Sequence, residues 1–575
     1  MPSPLLSSSA LKPKPKLRPR PRRWQWDSAV PPILRPAVRA FLLGYAYNVA
    51  PRVASIVIRF VVRQLRESGV GGLAGPGPGP KPTAAATDFV QQTRKLLRSL
   101  VAVLRGGFDP YRLPTFCGAL VGVGTLIQHI VKPVFDRIVP CVSDPVRQRL
   151  VRFLAYFTSG WLAMRLLLHA EPDVEKAISN GSNGTQAPGF STKELRPLIL
   201  VDGMARAGAL SPRLKEEPTA PLGGKTIDLT CLTVTRGLDV LVVTLWRYYK
   251  KSRLATGKWT PLEALLEYLG DPLLFSVSSA LVMWAWFYHP DALPPEYNKW
   301  ITRAAKVDGR LIEALRRCRS GALVYGQETG QADLLGSMCV DYNLPYVWGD
   351  PARTIPFPCE LVHMGVGPSC EKHAISRFLR ALPMAGATYV PLTLLLLFRS
   401  PSKLKSSRAL LRALRSAARS SCFLASFIAL FYYGVCLART RIGPRLLLPL
   451  PPEYLCLPSP PTAQTLASKS YMRSLLAARQ RIDSGLCVAT GCVMCGLSIL
   501  WEKSSKRKDF ALFVAPKALA TLLPRRFEKE WEVWEEGAFA ASVAAVLTAA
   551  EEEGGGVVRG WIGGLVGWCF GGIGE

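Results

Sequence analysis

Apolar stretches that stop just short of bilayer length recur along this chain, separated by loops rich in Lys, Arg, Pro and Gly. They cover residues 36–62, 115–132, 149–169, 228–247, 273–288, 374–398, 420–438, 483–501, 509–523 and 557–574. No uninterrupted apolar run within them reaches the roughly 20 residues that an α-helix needs to cross the hydrocarbon layer, but many come close. In lipid, a spanning segment must satisfy its own backbone, which leaves helices and closed barrels. A further stretch, 537–549, is Ala-rich and too small-sided to assign. The expected fold is all-α: a polytopic membrane protein, with the lipid bilayer as its first partner.

Charge supports this. The 575 residues are 49% apolar yet carry a net charge of +31. Basic loops beside apolar spans produce that combination. Nucleic-acid binding is the rival explanation. The basic residues are spread over many loops, and no zinc-finger, helix-turn-helix or RNA-binding signature accompanies them, so no nucleic-acid partner is expected. The 14 cysteines are scattered, and many sit inside apolar runs (Cys117, Cys231, Cys422, Cys436, Cys487, Cys492, Cys495). There a thiol acts as a small hydrophobe.

The chain divides into a basic, Pro-rich tail (1–35), a first helical half (36–288), a linker (289–373), a second helical half (374–525) and an Ala/Gly-rich C-terminal segment with a last helix (526–575). Residues 70–87 and 170–226 read as flexible loops in the first half. The second loop holds two glycosylation sequons, at Asn180 and Asn183, that are expected to be unused. The halves look duplicated. Ala37-Val-Arg-Ala-Phe-Leu42 recurs as Ala374-Ile-Ser-Arg-Phe-Leu379, each followed by a proline, Pro51 or Pro391. Thr235–Leu241 recurs loosely as Pro516–Leu522, and the apolar segments keep their order, five per half. Such repeats are common in membrane transporters.

Three sets of residues carry chemistry. Cys359, His363, Cys370 and His373 lie within fifteen residues, directly before an apolar run. Four such ligands can close a tetrahedral zinc site. A disulfide (Cys359 with Cys370, or either with Cys318 or Cys339) and plain loop packing remain open alternatives. Arg236 and Asp239 stand three apart inside an apolar run, and Lys517 occupies the position that repeats Arg236. Charge in lipid is costly and turns toward a cavity or a partner. Gly118 and Gly122, and Gly563, Gly567 and Gly571, have the four-residue spacing that lets helices approach closely. His289, at the end of the run 273–288, reads as a polar cap rather than a ligand. No G-x-S-x-G elbow, Walker loop, dinucleotide fingerprint or H-E-x-x-H occurs, so no enzyme activity is expected.

Several segments resemble the transmembrane protein 135 family: Tyr288–Ile301, Pro358–His363 with Ser369–His373, and the basic-to-apolar passage Arg415–Leu430. The resemblance covers roughly residues 110–525, and its most specific part is the Cys/His segment, similar to the family's cysteine-rich region. The chain departs at Met364, where the family pattern often has proline. The resemblance implies a multi-pass protein of peroxisomal or mitochondrial membranes, the peroxisome favoured, with a structural or regulatory role in organelle dynamics and lipid metabolism. Other organelle-membrane proteins are implied as partners. The family is itself distantly similar to translocase subunits of the mitochondrial inner membrane. The alternative expectation is a transporter or lipid conduit, with Arg236, Asp239 and Lys517 lining a polar path between the halves. Neither ligand nor oligomeric state is specified by the sequence.

Overall fold

The computed structural model describes residues 29–67, 82–108, 112–138, 140, 143–169, 226–398, 406–447, 461–523, 530–552 and 557–570. The sequons and nearly all of the loop 170–226 lie outside the described residues. The chain is an all-α polytopic membrane protein, and no strand occurs among the described residues. Its helices are α1 (Arg35–Glu67), α2 (Pro82–Gly106), α3 (Leu113–Ile138), α4 (Asp144–His169), α5 (Ile227–Ala255), α6 (Pro261–Tyr288), α7 (Pro295–Ala305), α8 (Gly309–Ser320), α9 (Ala332–Asp341), α10 (Cys370–Phe398), α11 (Ser407–Leu437), α12 (Pro461–Arg481), α13 (Cys487–Cys495), α14 (Ser504–Thr521), α15 (Glu530–Glu552) and α16 (Gly560–Phe570).

Local chemistry sets several boundaries. Pro261 opens α6, and Thr260 and Glu263 form a reciprocal capping box, with the Thr260 amide donating to the Glu263 carboxylate at 2.6 Å. The helix closes at His289, whose amide donates to the Ala285 carbonyl, and Pro290 follows. Asp308 caps α8 by accepting from the Arg310 amide, and Gly321 ends it at φ 78°. One expectation fails here: residues 82–87, read as loop, begin α2, because proline suits the first helical position.

Among the described residues, eight helical stretches are long and apolar enough to cross a bilayer: Arg35–Phe60, Leu113–Ile138, Ile227–Ala255, Pro261–Tyr288, Cys370–Leu397, Ser407–Leu447, Tyr471–Trp501 and Trp531–Glu552. The sequence expectation differs at four places. Stretch 149–169 is helical, but α4 carries Arg147, Arg149, Arg152 and Arg165. Stretch 509–523 belongs to α14, which opens with Lys506, Arg507, Lys508 and Asp509. Stretch 557–574 yields only the 11-residue α16, too short to span. The unassigned 537–549 lies inside α15, which is long enough.

The pattern of exposure is that of a protein dissolved in lipid. Leu238, Leu241, Val242 and Leu245 of α5, and Leu392, Leu395 and Leu396 of α10, face outward. Arg236, Asp239, Arg439, Asp483, Glu502, Arg507 and Lys517 are buried. Water would favour the reverse arrangement.

Packing reveals a duplicated arrangement with an exchange. The chain order α1, α3, α4, α5, α6 is matched by α10, α11, α13, α14, α15. α1 packs on α3 and α3 on α4, just as α10 packs on α11 and α11 on α13. The fifth helix of each set then crosses over. α15 packs against α4 and α5, while α6 packs against α13 and α14. The boundary drawn at residue 288 is therefore not a packing boundary. One apolar core joins α1, α3, α4 and α15 with α16, and a second joins α6, α10, α11, α13 and α14. α5 and α14 meet at the seam.

The linker 289–373 folds into a helical cap. Leu323, Leu335, Met338, Cys339 and Leu361 form its core, which continues into Ala381 of α10 and Ala425, Ile428 and Tyr432 of α11.

Close helix approach is built on glycine. A methyl group on Gly122 would lie 2.8 Å from the Ala37 Cβ, and one on Gly118 3.2 Å from the Phe41 Cβ, so both expected positions do seat α3 on α1. Gly563 is buried and Gly567 half-buried on α16, and Gly571 lies outside the described residues. Another close helix crossing was not foreseen: a methyl on Gly434 of α11 would sit 2.8 Å from the Gly491 Cα of α13. Gly491→Leu should therefore lower stability by about 1–3 kcal/mol, the usual range for overpacking. Gly564→Leu, where nothing lies within 4 Å, should be near neutral. Thermal unfolding of the two variants in detergent checks this, and equal losses would refute it.

Candidate metal centre

His363 organises the end of the cap. It follows a single helical turn, Cys359–Val362, whose amide and carbonyl groups place Cys359 and His363 on one side. Three residues with positive φ then reverse the chain: Met364 (54°), Gly365 (76°) and Gly367 (110°). Proline cannot adopt such a φ, so the departure at Met364 from the resembled pattern has a direct conformational meaning here. The reversal brings the Gly367 carbonyl to 2.7 Å from His363 Nδ1. That carbonyl can only accept, so Nδ1 carries the proton and Nε2 presents a lone pair. Metal-binding histidines are commonly fixed in this way. Burial pushes the His363 pKa below its ordinary value and favours the neutral ring.

The Nε2 lone pair faces thiols. The ligand atoms of Cys359, His363 and Cys370 all lie within 4.8 Å of one another. A fourth group comes from α11: Cys436 Sγ stands 3.2 Å from His363 Nε2. The Cys436 thiol also contacts that of Cys370 and lies within electrostatic reach of Cys359. Burial, and next the neighbouring Cys370, push the Cys359 thiol pKa upward. Around zinc, Zn–S near 2.3 Å and Zn–N near 2.0 Å imply ligand–ligand edges of about 3.5–3.8 Å. Cys359, His363 and Cys370 already lie within 4.8 Å of one another, and Cys436 within 3.2 Å of the imidazole.

His373 is not in this set. Its ring stacks on that of His363 at 4.4 Å between centroids, and Tyr432 meets it edge-on. Both His373 nitrogens are buried without a partner. Cys436, read from sequence as a small hydrophobe, stands where the fourth ligand was assigned to His373. The disulfide alternatives find no support, since Cys318, Cys339, Cys359 and Cys370 form no disulfide. Cys318 and Cys339 belong to the cap core.

The intramembrane charges divide into separate sites. Asp239 does not hydrogen-bond to Arg236. It accepts from one edge of the Arg559 guanidinium, from Nε at 3.0 and 3.2 Å to its two carboxylate oxygens and from Nη2. Arg559 also donates to Asp271 at 2.8 Å. Arg236 donates to the backbone carbonyls of Arg559 and Leu512. Lys517 lies apart from them. Its ammonium sits 3.7 Å above the Phe513 ring centre and 5.3 Å from that of Tyr297 in the cap. Arg236 and Asp239 therefore meet at Arg559, and Lys517 stands apart from them.

A second buried ion pair was not foreseen. Arg439 Nε and Nη2 donate to the Asp483 carboxylate at 2.7 and 3.1 Å, each within a π-helical turn. Tyr325 of the cap donates to the same carboxylate at 2.5 Å, and Arg439 donates to the Phe357 carbonyl. This network fastens the cap beside the thiol cluster. Arg439→Leu alone should cost about 3–5 kcal/mol by stranding Asp483. Adding Asp483→Leu should restore much of that loss, measured by unfolding in detergent. Additive penalties would count against the pairing. No protein-family model, curated protein or solved structure matches this chain.

Proposed function

We propose that this chain is a non-enzymatic structural or regulatory protein of an organelle membrane, and that Cys359, His363, Cys370 and Cys436 hold one zinc ion that pins the cap to the membrane helices. The single observation that carries the metal reading is convergence. Two thiols and one imidazole, drawn from the cap loop and the start of α10, lie within 4.8 Å of one another, and the Cys436 thiol at the end of α11 stands 3.2 Å from that imidazole and against Cys370. Four protein ligands leave no open position for water or substrate, which is the pattern of a structural zinc rather than a catalytic one. Organelle identity, with the peroxisome ahead of the mitochondrion, and a role in organelle dynamics and lipid metabolism rest on the sequence resemblance alone. The conduit alternative is the weaker reading, because Arg236 and Asp239 are engaged by Arg559 and backbone carbonyls, and Lys517 lies elsewhere.

Metal analysis of the purified full chain should find about one zinc per polypeptide. Cys359→Ser, Cys370→Ser and Cys436→Ser should each deplete it, while His373→Ala should retain it. Retention in Cys436→Ser with loss in His373→Ala would restore the four-residue set expected from sequence. Zinc absent from wild type, with the three thiols and the imidazole freely modifiable, would remove the metal reading. For the location, a tagged copy should resist carbonate extraction and co-fractionate with peroxisomal markers. Co-fractionation with the plasma membrane would overturn it.

A further inference from the structure

A cavity of about 440 Å³ opens where α1 begins, α3 ends, α4 begins and α15 ends. Its size is within the ~300–1,000 Å³ typical of small-ligand sites. Three of these four helices are long and apolar enough to span, so the cavity lies at one bilayer face of the bundle. Its walls carry five cationic side chains, Arg35, Arg39, Lys132, Arg147 and Arg152, beside His129. Only two carboxylates, Asp136 and Glu551, stand among them. Both are engaged: Asp136 pairs with Arg147 at 2.9 Å, and Glu551 pairs with Arg152 at 3.3 Å and accepts from Tyr156 at 2.9 Å and Gln128 at 3.2 Å. Asp144 also pairs with Arg147, and Glu552 with Arg152 at 3.7 Å, so the acids brace these two arginines, while Arg35, Arg39 and Lys132 add cationic charge to the same wall. Lys132 and His129 are exposed at the mouth. Pro32, Ile33, Pro36 and Val151 supply an apolar side to the same space.

We propose that this cavity binds a phosphoester anion, and that its source is the headgroup of an anionic phospholipid in the surrounding bilayer. The basic wall recognises the phosphate, and the apolar side meets the glycerol and upper acyl chain. Basic pockets between membrane helices at the interface serve headgroups in this way. A free phosphate would use the cations and leave the apolar side bare, which favours the lipid. This inference is independent of the zinc reading, since it shares no residue with that centre.

The test uses the full chain purified in detergent and titrated with short-chain phosphatidic acid, short-chain phosphatidylcholine or inorganic phosphate. Native mass spectrometry reads the bound adduct. Phosphatidic acid should bind most tightly, and the double variant Lys132→Ala/His129→Ala should weaken it. About fivefold is expected from the loss of Lys132 alone. Both positions are exposed, so the variant should fold, which an unchanged melting temperature checks. Lys258→Ala, an exposed cation far along the chain in a loop, should leave binding unchanged. Equal binding of inorganic phosphate and phosphatidic acid would overturn the lipid source. Equal binding of phosphatidylcholine, or an unchanged affinity in the double variant, would overturn the site.

Discussion

A guanidinium or carboxylate carried into hydrocarbon must be met by a partner that came with it, because lipid offers none. That constraint shapes this molecule more than any single apolar contact. Arg559 reaches Asp239 of α5 and Asp271 of α6, and Arg439 reaches Asp483 where α11 and α12 end. Each pair joins segments distant in the chain. Breaking one strands a charge, whereas removing both partners together costs far less. These pairs therefore define register: they state which helices must meet, and at what height.

The cap depends on the same logic at its base. Tyr325 and the Phe357 carbonyl complete the Arg439–Asp483 network from the cap side. Arg377 donates to the Lys306 carbonyl, and Tyr432 to that of Ala305. Gln480 donates to the carbonyls of Cys318 and Leu323. The thiol–imidazole cluster stands beside these bonds. A metal there would act on a junction that polar contacts have already aligned, adding closure to an existing fit.

Much of the architecture is legible in the sequence because it is written in local composition. Apolar stretches of span length, the Thr260/Glu263 cap and the His289-Pro290 stop are properties of neighbouring residues. So is the approach of Cys359, His363 and Cys370, which a short loop with Gly365 and Gly367 makes possible. What escaped the sequence reading lies in long-range pairing. Nothing near Cys436 distinguishes it from Cys487 or Cys492 until α11 is seen against His363. Asp239 meets Arg559 from 320 positions away, while the nearer Arg236 turns to carbonyls. The start of α2 falls within 70–87, a stretch that reads as loop although Pro82 suits an opening helical position. The short α16 was overcounted as a span because its glycine-rich composition is apolar without being long.

The crossing of the fifth helices bears on how the chain is made. The ribosome delivers α1, α3, α4 and α5 first, yet the surface of α4 and α5 that awaits α15 stays uncovered until residues 530–552 emerge. Assembly of the earliest bundle is thereby held back until α15 has been made. A nascent chain released before that point would present an unmet helical face to the insertion machinery, which gives quality control a physical criterion for telling a finished protein from a fragment.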